Sequence, residues 1–155
     1  MSQNNSATQL VVMGAGPGGY VAAVHAAQQG MKVACIEKES RLGGVCLRVG
    51  CIPSKALLDS SEYFHLAKAG LADHGIKTGR VTLDLKTMMA RKDKVVSELT
   101  QGINSLFKTN RIKRIHGHAR LSPGKVVKVA DRGSPHTRES LQADNIIIAA
   151  GSSSV

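Results

Sequence analysis

A short apolar run, a glycine turn and a small-residue helix follow one another at the start of the chain and leave few folds open to it. Gln9 to Met13 is the apolar run, and Gly14-Ala15-Gly16-Pro17-Gly18-Gly19 follows at once. Pro17 to Gln29 is alanine-rich and stops at Gly30, after which a second apolar run, Lys32–Ile36, ends at Glu37. Strand, turn, helix and strand in so few residues make a βαβ unit whose strands are parallel and buried. The glycine spacing is G-x-G-x-x-G in the position where it has mechanical meaning. Gly14 permits the tight turn, Gly16 lets backbone approach a pyrophosphate, and Gly19 lets the helix lie close to the strands. Pro17 in the first helical turn loses no intrahelical hydrogen bond, and the helix dipole points positive charge at the phosphates. Glu37, at the end of the second strand, is placed to accept hydrogen bonds from an adenosine ribose. The motif by itself does not separate FAD from NAD.

Farther on, a glycine-rich loop from Ser40 to Gly50 precedes a helix expected from about Cys51 to Ala69. A second helix is expected from Asp84 to Thr109, with Leu85, Met88, Met89, Val95, Val96, Leu99, Ile103 and Leu106 near helical spacing and Arg91 to Lys94 on its wet side. From Arg111 the pattern changes to short strands: Arg111–Ile115, Ala119–Leu121 and Val126–Ala130. Asp131 to Glu139 reads as a polar hairpin end or loop, and Asn145–Ile148 as a last strand running into Ala149-Ala150-Gly151. With 155 residues and 42% hydrophobic content, the chain can bury one core. No stretch approaches the roughly 18 apolar residues of a membrane span. The polar, uncharged start from Met1 to Gln9 leads us to expect a cytoplasmic protein.

The cysteines carry the chemistry. Cys35 lies within a buried strand and reads as an inert core residue. Cys46 and Cys51 lie five apart, and in a regular helix such residues have Cα atoms about 8.6 Å apart. A disulfide needs less than about 7 Å. If the two bridge, the segment must bend, and Gly50 and Pro53 suit a distorted helix entry. So short a loop is a poor structural staple, which favours a catalytic pair over a structural one. One thiol of such a pair attacks and the other resolves the mixed disulfide. Lys55, four residues after Cys51, falls on the same helix face, where a cation favours thiolate, and Arg48 could do the same. The alternatives are two unrelated buried cysteines, or a metal half-site that lacks companion ligands. His116 and His118, on one face of a strand, make only a weak pair, and no metal is expected.

The order Gly14 to Gly19, Glu37, then Gly43-Gly44-x-Cys46-Leu47-x-Val49-Gly50-Cys51-Ile52-Pro53-Ser54-Lys55-Ala56-Leu57-Leu58 resembles the dihydrolipoamide dehydrogenases, of the class I pyridine nucleotide-disulfide oxidoreductases. Glutathione and mercuric reductases share the cysteine spacing, but the wording from Cys51 to Leu58 is more similar to the lipoamide enzymes. The likeness extends through Asn145 to Ser152. It implies an α/β fold: a Rossmann-like FAD-binding domain with a parallel sheet and an added β-meander, incomplete relative to the family. Residues 1–8 are then a disordered tail, and 9–155 the amino-terminal part of the FAD domain, with a redox-disulfide segment at 43–58.

The same resemblance implies FAD as cofactor, with NAD only in the complete enzyme. Cys46 would be the interchange thiol that meets dihydrolipoamide, and Cys51 the charge-transfer thiol beside the isoalloxazine. Lys55 would stand near the flavin N5, and Ala119 would offer backbone to the adenine. Lys38, Gly43, Gly44, Val45, Ala150 and Gly151 are assigned to the cofactor on the same ground. Electrons would pass from dihydrolipoamide to the Cys46–Cys51 disulfide, then through FAD to NAD. The implied partners are an acyltransferase or lipoyl protein of a 2-oxoacid dehydrogenase or glycine cleavage complex, and a second copy in a homodimer.

The chain departs from the family at Val45, where Thr is usual, at Arg48, where Asn is usual, and at Ala150, where Thr is usual. Each loses about one hydrogen bond, roughly 0.5–1.5 kcal/mol. The family's acid–base pair and NAD domain have no counterpart in these residues, so the chain alone is expected to be inactive and to retain flavin weakly. A cofactor-binding fragment or remnant without catalysis is the other reading. The net charge of +10 suggests an anionic partner or solvated faces. Nucleic acid is not expected, since 3% of residues are aromatic and no nucleic-acid module is present.

Overall fold

The computed structural model describes residues 8–152, and they divide into two compact units. The first comprises the chain up to Gly44 and from Thr100 onward; the second is Val45–Leu99. The expected tail therefore lies mostly outside the described residues, though Thr8 already pairs with Ala143.

In the first unit, β1 (Thr8–Met13), β2 (Val33–Glu37), β3 (Lys113–His116), β4 (His118–Ser122), β5 (Val126–Ala130) and β6 (Thr137–Ile148) form one sheet in the order β3-β2-β1-β6-β5-β4. The pairings among β3, β2, β1 and β6 are parallel; those of β5 with β6 and β4 are antiparallel. Every residue of β2 is buried, as a strand covered on both faces requires. Val11, Met13, Ala34, Ile36 and Ile115 of the parallel part pack in one core with Val127, Val129, Leu141 and Ala143 of the antiparallel part. This is the α/β sheet with an added meander that the sequence implied.

Helix α1 (Pro17–Gln28) starts with Gly16 as N-cap and buries only Gly19 and Ala23, small residues that let it lie close to the sheet. It ends through Gly30, whose φ of 86° and N–H to the Ala27 carbonyl close the last turn.

The last strand is longer than its apolar segment announced. β6 runs for 12 residues from Thr137, so the end of the expected loop, Thr137 to Glu139, is strand. Its first half pairs with β5 and alternates in burial with polar outward residues, which the eye reads as loop; its second half pairs with β1.

In the second unit, the expected loop from Ser40 to Gly50 contains a short helix, α2, which begins at the unit boundary (Gly44–Arg48) and buries Leu47. Helix α3 (Cys51–His65) is followed by one widened turn at Leu66–Gly70 and a tight turn at Ala72–His74. Helix α4 (Leu85–Thr109), whose residues from Thr100 belong to the first unit, is capped by Asp84, whose carboxylate accepts from the Thr87 N–H at 3.2 Å and the Thr87 hydroxyl at 2.6 Å. These bonds hold the Asp84 carboxyl below its ordinary pKa. Arg91 is not idle on the wet side of α4: it donates to the Ala56 carbonyl at 2.9 Å and pairs with Asp59 at 2.6 Å. Leu85, Met89, Leu99 and Leu106, expected on the apolar stripe, are exposed, whereas Val96, Ile103 and Phe107 are buried. Among the described residues no helix is long and apolar enough to cross a membrane.

Candidate functional site

The glycine turn sits at the carboxyl end of β1, between β2 and β6, where open parallel sheets bind ligands. Gly14 has φ of 102°, and a Cβ there would collide with the Ala149 carbonyl. A Cβ on Gly19 would collide with the Gly14 carbonyl and stand 3.3 Å from the Ala149 Cβ. These two glycines are fixed by the fold itself. Gly16 and Gly18 are not. A Cβ on Gly16 would meet only the Gly44 Cα, at an ordinary 3.8 Å, and one on Gly18 would meet nothing within 4 Å. The missing side chains leave open room at the first turn of a 12-residue helix, where unpaired N–H groups and the helix dipole favour an anion. Pro17 and Gly18 are exposed there.

Glu37 is buried, yet it has partners. One carboxylate oxygen accepts from the Ala15 N–H at 2.8 Å and the other from the Glu39 N–H at 3.0 Å. The acid therefore braces the glycine turn, a role its position at a strand end does not disclose. A carboxylate has about four acceptor positions, so two remain for a ribose. The Gly117 N–H donates to the Glu37 carbonyl at 2.9 Å, which brings the start of β4, with Ala119, beside the acid. Lys38 follows Glu37 and is exposed.

Gly43 and Gly44 form a second wall of the turn. The Gly43 N–H donates to the Ala15 carbonyl at 2.8 Å; Gly44 has φ of 64°, and a Cβ on it would stand 2.6 Å from the Gly16 Cα. At the end of β6 the Ala149 N–H donates to the Met13 carbonyl at 2.8 Å, and Ala150 and Gly151 are exposed just beyond. The structure thus gathers Gly14 to Gly19, Glu37, Gly43, Gly44 and Ala149 around one backbone-lined cradle. The Ala149 contact and the Glu37 brace were not legible in the sequence. The glycine pair was the available signal for the second wall. A dinucleotide's phosphates fit such a cradle, because the space over Gly16 and Gly18 is walled by backbone and by a helix end.

Cys35 lies beneath this turn, its thiol directed at the Gly14 carbonyl at 3.8 Å. Burial, and then the Glu37 charge, push its pKa up to about 12. It stays a protonated core thiol.

In the second unit Cys46 and Cys51 are joined by a disulfide, with Cα atoms 4.7 Å apart. The bend that the spacing demanded is the junction between α2 and α3. The Val49 N–H still donates to the Val45 carbonyl at 3.0 Å, closing α2, and Gly50 then turns the chain. A Cβ on Gly50 would stand 3.1 Å from the Val45 carbonyl oxygen and 3.3 Å from the Cys46 Cα, so a larger residue crowds the junction. Pro53, in the first turn of α3, is buried. Cys51 is exposed and Cys46 half-buried. Val45 on α2 and Val49 just past its end are 60% and 70% exposed and make an apolar surface beside the bridge. Lys55 is exposed one turn along α3 from Cys51. The two histidines expected on one strand are divided: His116 closes β3 and His118 opens β4, with Gly117 between.

The family model described as pyridine nucleotide-disulphide oxidoreductase matches residues 8–155. The chain is 52% identical over 145 residues to the leghemoglobin reductase of Vigna unguiculata, covering 92% of the chain and 27% of that protein. It is 49% identical over 144 residues to the mitochondrial dihydrolipoyl dehydrogenase of Pisum sativum, covering 92% and 28%. With the mitochondrial dihydrolipoyl dehydrogenase of Caenorhabditis elegans it shares 48% over 156 residues, covering 98% and 31%. The chain therefore spans less than a third of the length of these relatives. With a glycine cradle at the end of its first strand, a disulfide across a helix junction and a family match over nearly its whole length, the chain belongs to the pyridine nucleotide-disulphide oxidoreductases.

Proposed function

We propose that this chain is the cofactor-anchoring and thiol-bearing part of a flavin-dependent disulfide oxidoreductase that acts on dihydrolipoamide. The observation that carries the reading is the Cys46–Cys51 bridge, set across a helix junction with Cys51 an exposed residue rather than a buried one. Bound FAD would supply the two-electron acceptor for the reduced cysteines and, in the complete enzyme, the donor to NAD. The glycine cradle would hold the phosphates through backbone N–H groups at the start of α1, Glu37 would accept from the ribose, and Ala119, near Glu37, would offer backbone to the adenine. Loss of a hydroxyl at Val45 and Ala150 weakens that hold.

The bridge does the thiol chemistry. A thiolate of dihydrolipoamide attacks the Cys46 sulfur, the Cys46–Cys51 bond breaks, and Cys51 leaves as thiolate. The second substrate thiol attacks the substrate sulfur of the mixed disulfide, Cys46 leaves and takes up that thiol's proton, and the lipoamide disulfide closes. Two electrons then reside on the cysteine pair. Lys55, one turn beyond Cys51, favours the leaving thiolate. The role of Cys46 toward the substrate rests on the family resemblance, since Cys51 is the more exposed residue of the two. The partners we propose are a lipoyl-bearing acyltransferase or lipoyl protein and, for the complete enzyme, a second copy.

The test uses a protein of the relatives' length bearing this sequence. Anaerobic addition of dihydrolipoamide should bleach its flavin absorbance, and Cys51→Ser should abolish the bleaching while flavin stays bound. Bleaching by glutathione but not by dihydrolipoamide would move the assignment to the glutathione reductase side of the family.

A further inference from the structure

The antiparallel strands of the first unit present one face to the core and one to water. Val127, Val129 and Leu141 point inward, so by strand alternation Arg120, Lys128 and Ser140 share the outward face. The register sets Arg120 directly opposite Lys128, and Lys128 directly opposite Ser140. Like charges facing each other on antiparallel strands destabilise the pair. Both are exposed, and among the described residues neither has a hydrogen-bond or ion-pair partner. The carboxylates that could relieve them are committed elsewhere. Glu139 pairs in register with Val129, so it lies toward the inner face, and it is bound to Lys113. Asp131 is bound to Arg138 at 2.6 Å. From residue 100 onward the chain carries nine Lys and Arg against three Asp and Glu. Beside the pair an open cleft of about 400 Å³ is walled by His118, Arg120, Ser134 and Pro135, with Asp131 at its side.

We propose that this outward face of β4, β5 and β6 docks an acidic polypeptide on another molecule. Its carboxylates bridge Arg120 and Lys128 and accept from the Ser140 hydroxyl, while one acidic side chain enters the cleft next to His118. Neighbouring strands stand about 4.8 Å apart, a gap that one carboxylate spans with an oxygen toward each cation. A nucleic acid is disfavoured because Tyr20, Tyr63, Phe64 and Phe107, the chain's aromatic residues, all lie outside these strands and leave no stacking platform. The uncompensated like-charge pair is the cost that an acidic partner removes.

Fluorescence anisotropy of a labelled deca-glutamate peptide with the 155-residue chain tests the proposal at low and at high salt. The double variant Arg120→Glu, Lys128→Glu should weaken binding at least about tenfold. Lys86→Glu, Lys94→Glu makes the same change in net charge on α4 and should weaken it by less than about threefold. The neutral double variant Arg120→Gln, Lys128→Gln, with circular dichroism unchanged, should fall between the wild type and the charge reversal. Equal losses in the two charge-reversed variants, no binding by the wild type, or tighter binding of an oligothymidylate of equal charge each overturn it. So does failure of the same peptide to bind a protein of the relatives' length, which would mean that the rest of that protein covers the face.

Discussion

Gly16 and Gly18 differ from their neighbours in what they are for. Gly14, Gly19 and Gly44 are required by backbone conformation or by close backbone contact within the fold, whereas the space over Gly16 and Gly18 is not filled by the protein. Gly18→Ala should therefore leave stability unchanged or raise it by up to about 1 kcal/mol, as alanine does in a helix, while weakening ADP binding. Gly44→Ala should cost more than about 1 kcal/mol, because its φ of 64° is left-handed and its Cβ would meet the Gly16 Cα at 2.6 Å. Urea denaturation and calorimetric titration with ADP separate the two effects, and a large stability loss in Gly18→Ala would remove the ligand explanation. Cys35 gives a pH signature at the same scale. Its folded pKa of about 12 lies above the ordinary thiol value of 9.0, so above pH 9 the unfolded chain loses a proton that the native chain keeps. Stability falls through that window as pH rises. Cys35→Ala should abolish this part of the alkaline loss, measured as the difference between the two proteins in urea at pH 8 and pH 10.

The junction of α2 and α3 shows how little a short disulfide contributes to stability. A loop closed over so few residues removes little disorder from the unfolded chain, at most about 2 kcal/mol. Cys46→Ser should lower the unfolding free energy by no more than that, followed by denaturation without reductant; a loss of 4 kcal/mol or more would make the bridge structural. Folding information at this junction is divided between Gly50, which keeps Val45 and Cys46 clear of a side chain, and Leu47, which anchors α2 by burial. Capping by Asp84 and the hold of Arg91 on α3 do comparable work for α4, and both are made by residues whose sequence pattern says only that they are polar.

Across the whole described chain, considerable apolar surface stays in water. Ile148 is 64% exposed and Ile147 37%, and from Asn145 to Ile148 the strand pairs with β1 alone. The sequence marked Asn145–Ile148 only as a short last strand. Instead β6 is an interior strand that changes partners midway, from β5 to β1. What remains bare is one edge of its second half, and bare apolar edges promote association. Ile148→Lys should reduce dye binding to apolar surface and slow aggregation while changing stability by less than about 0.5 kcal/mol.

The sequence by itself determined the βαβ start, the place of the nucleotide turn, the two long helices and the identity of the cysteine pair. These rest on local period, on glycine and proline geometry and on spacing along the chain. Even the need for a bend between Cys46 and Cys51 was legible, because helix dimensions forbid the bridge otherwise. Tertiary structure alone decided which glycines serve packing and which leave room, that Glu37 braces Ala15, that Gly44 rests on Gly16, and that Thr137 to Ile148 is one strand with two sets of partners. It also set Arg120 against Lys128. Each depends on contacts between residues far apart in the chain, and no local period or spacing encodes which distant backbone will stand opposite.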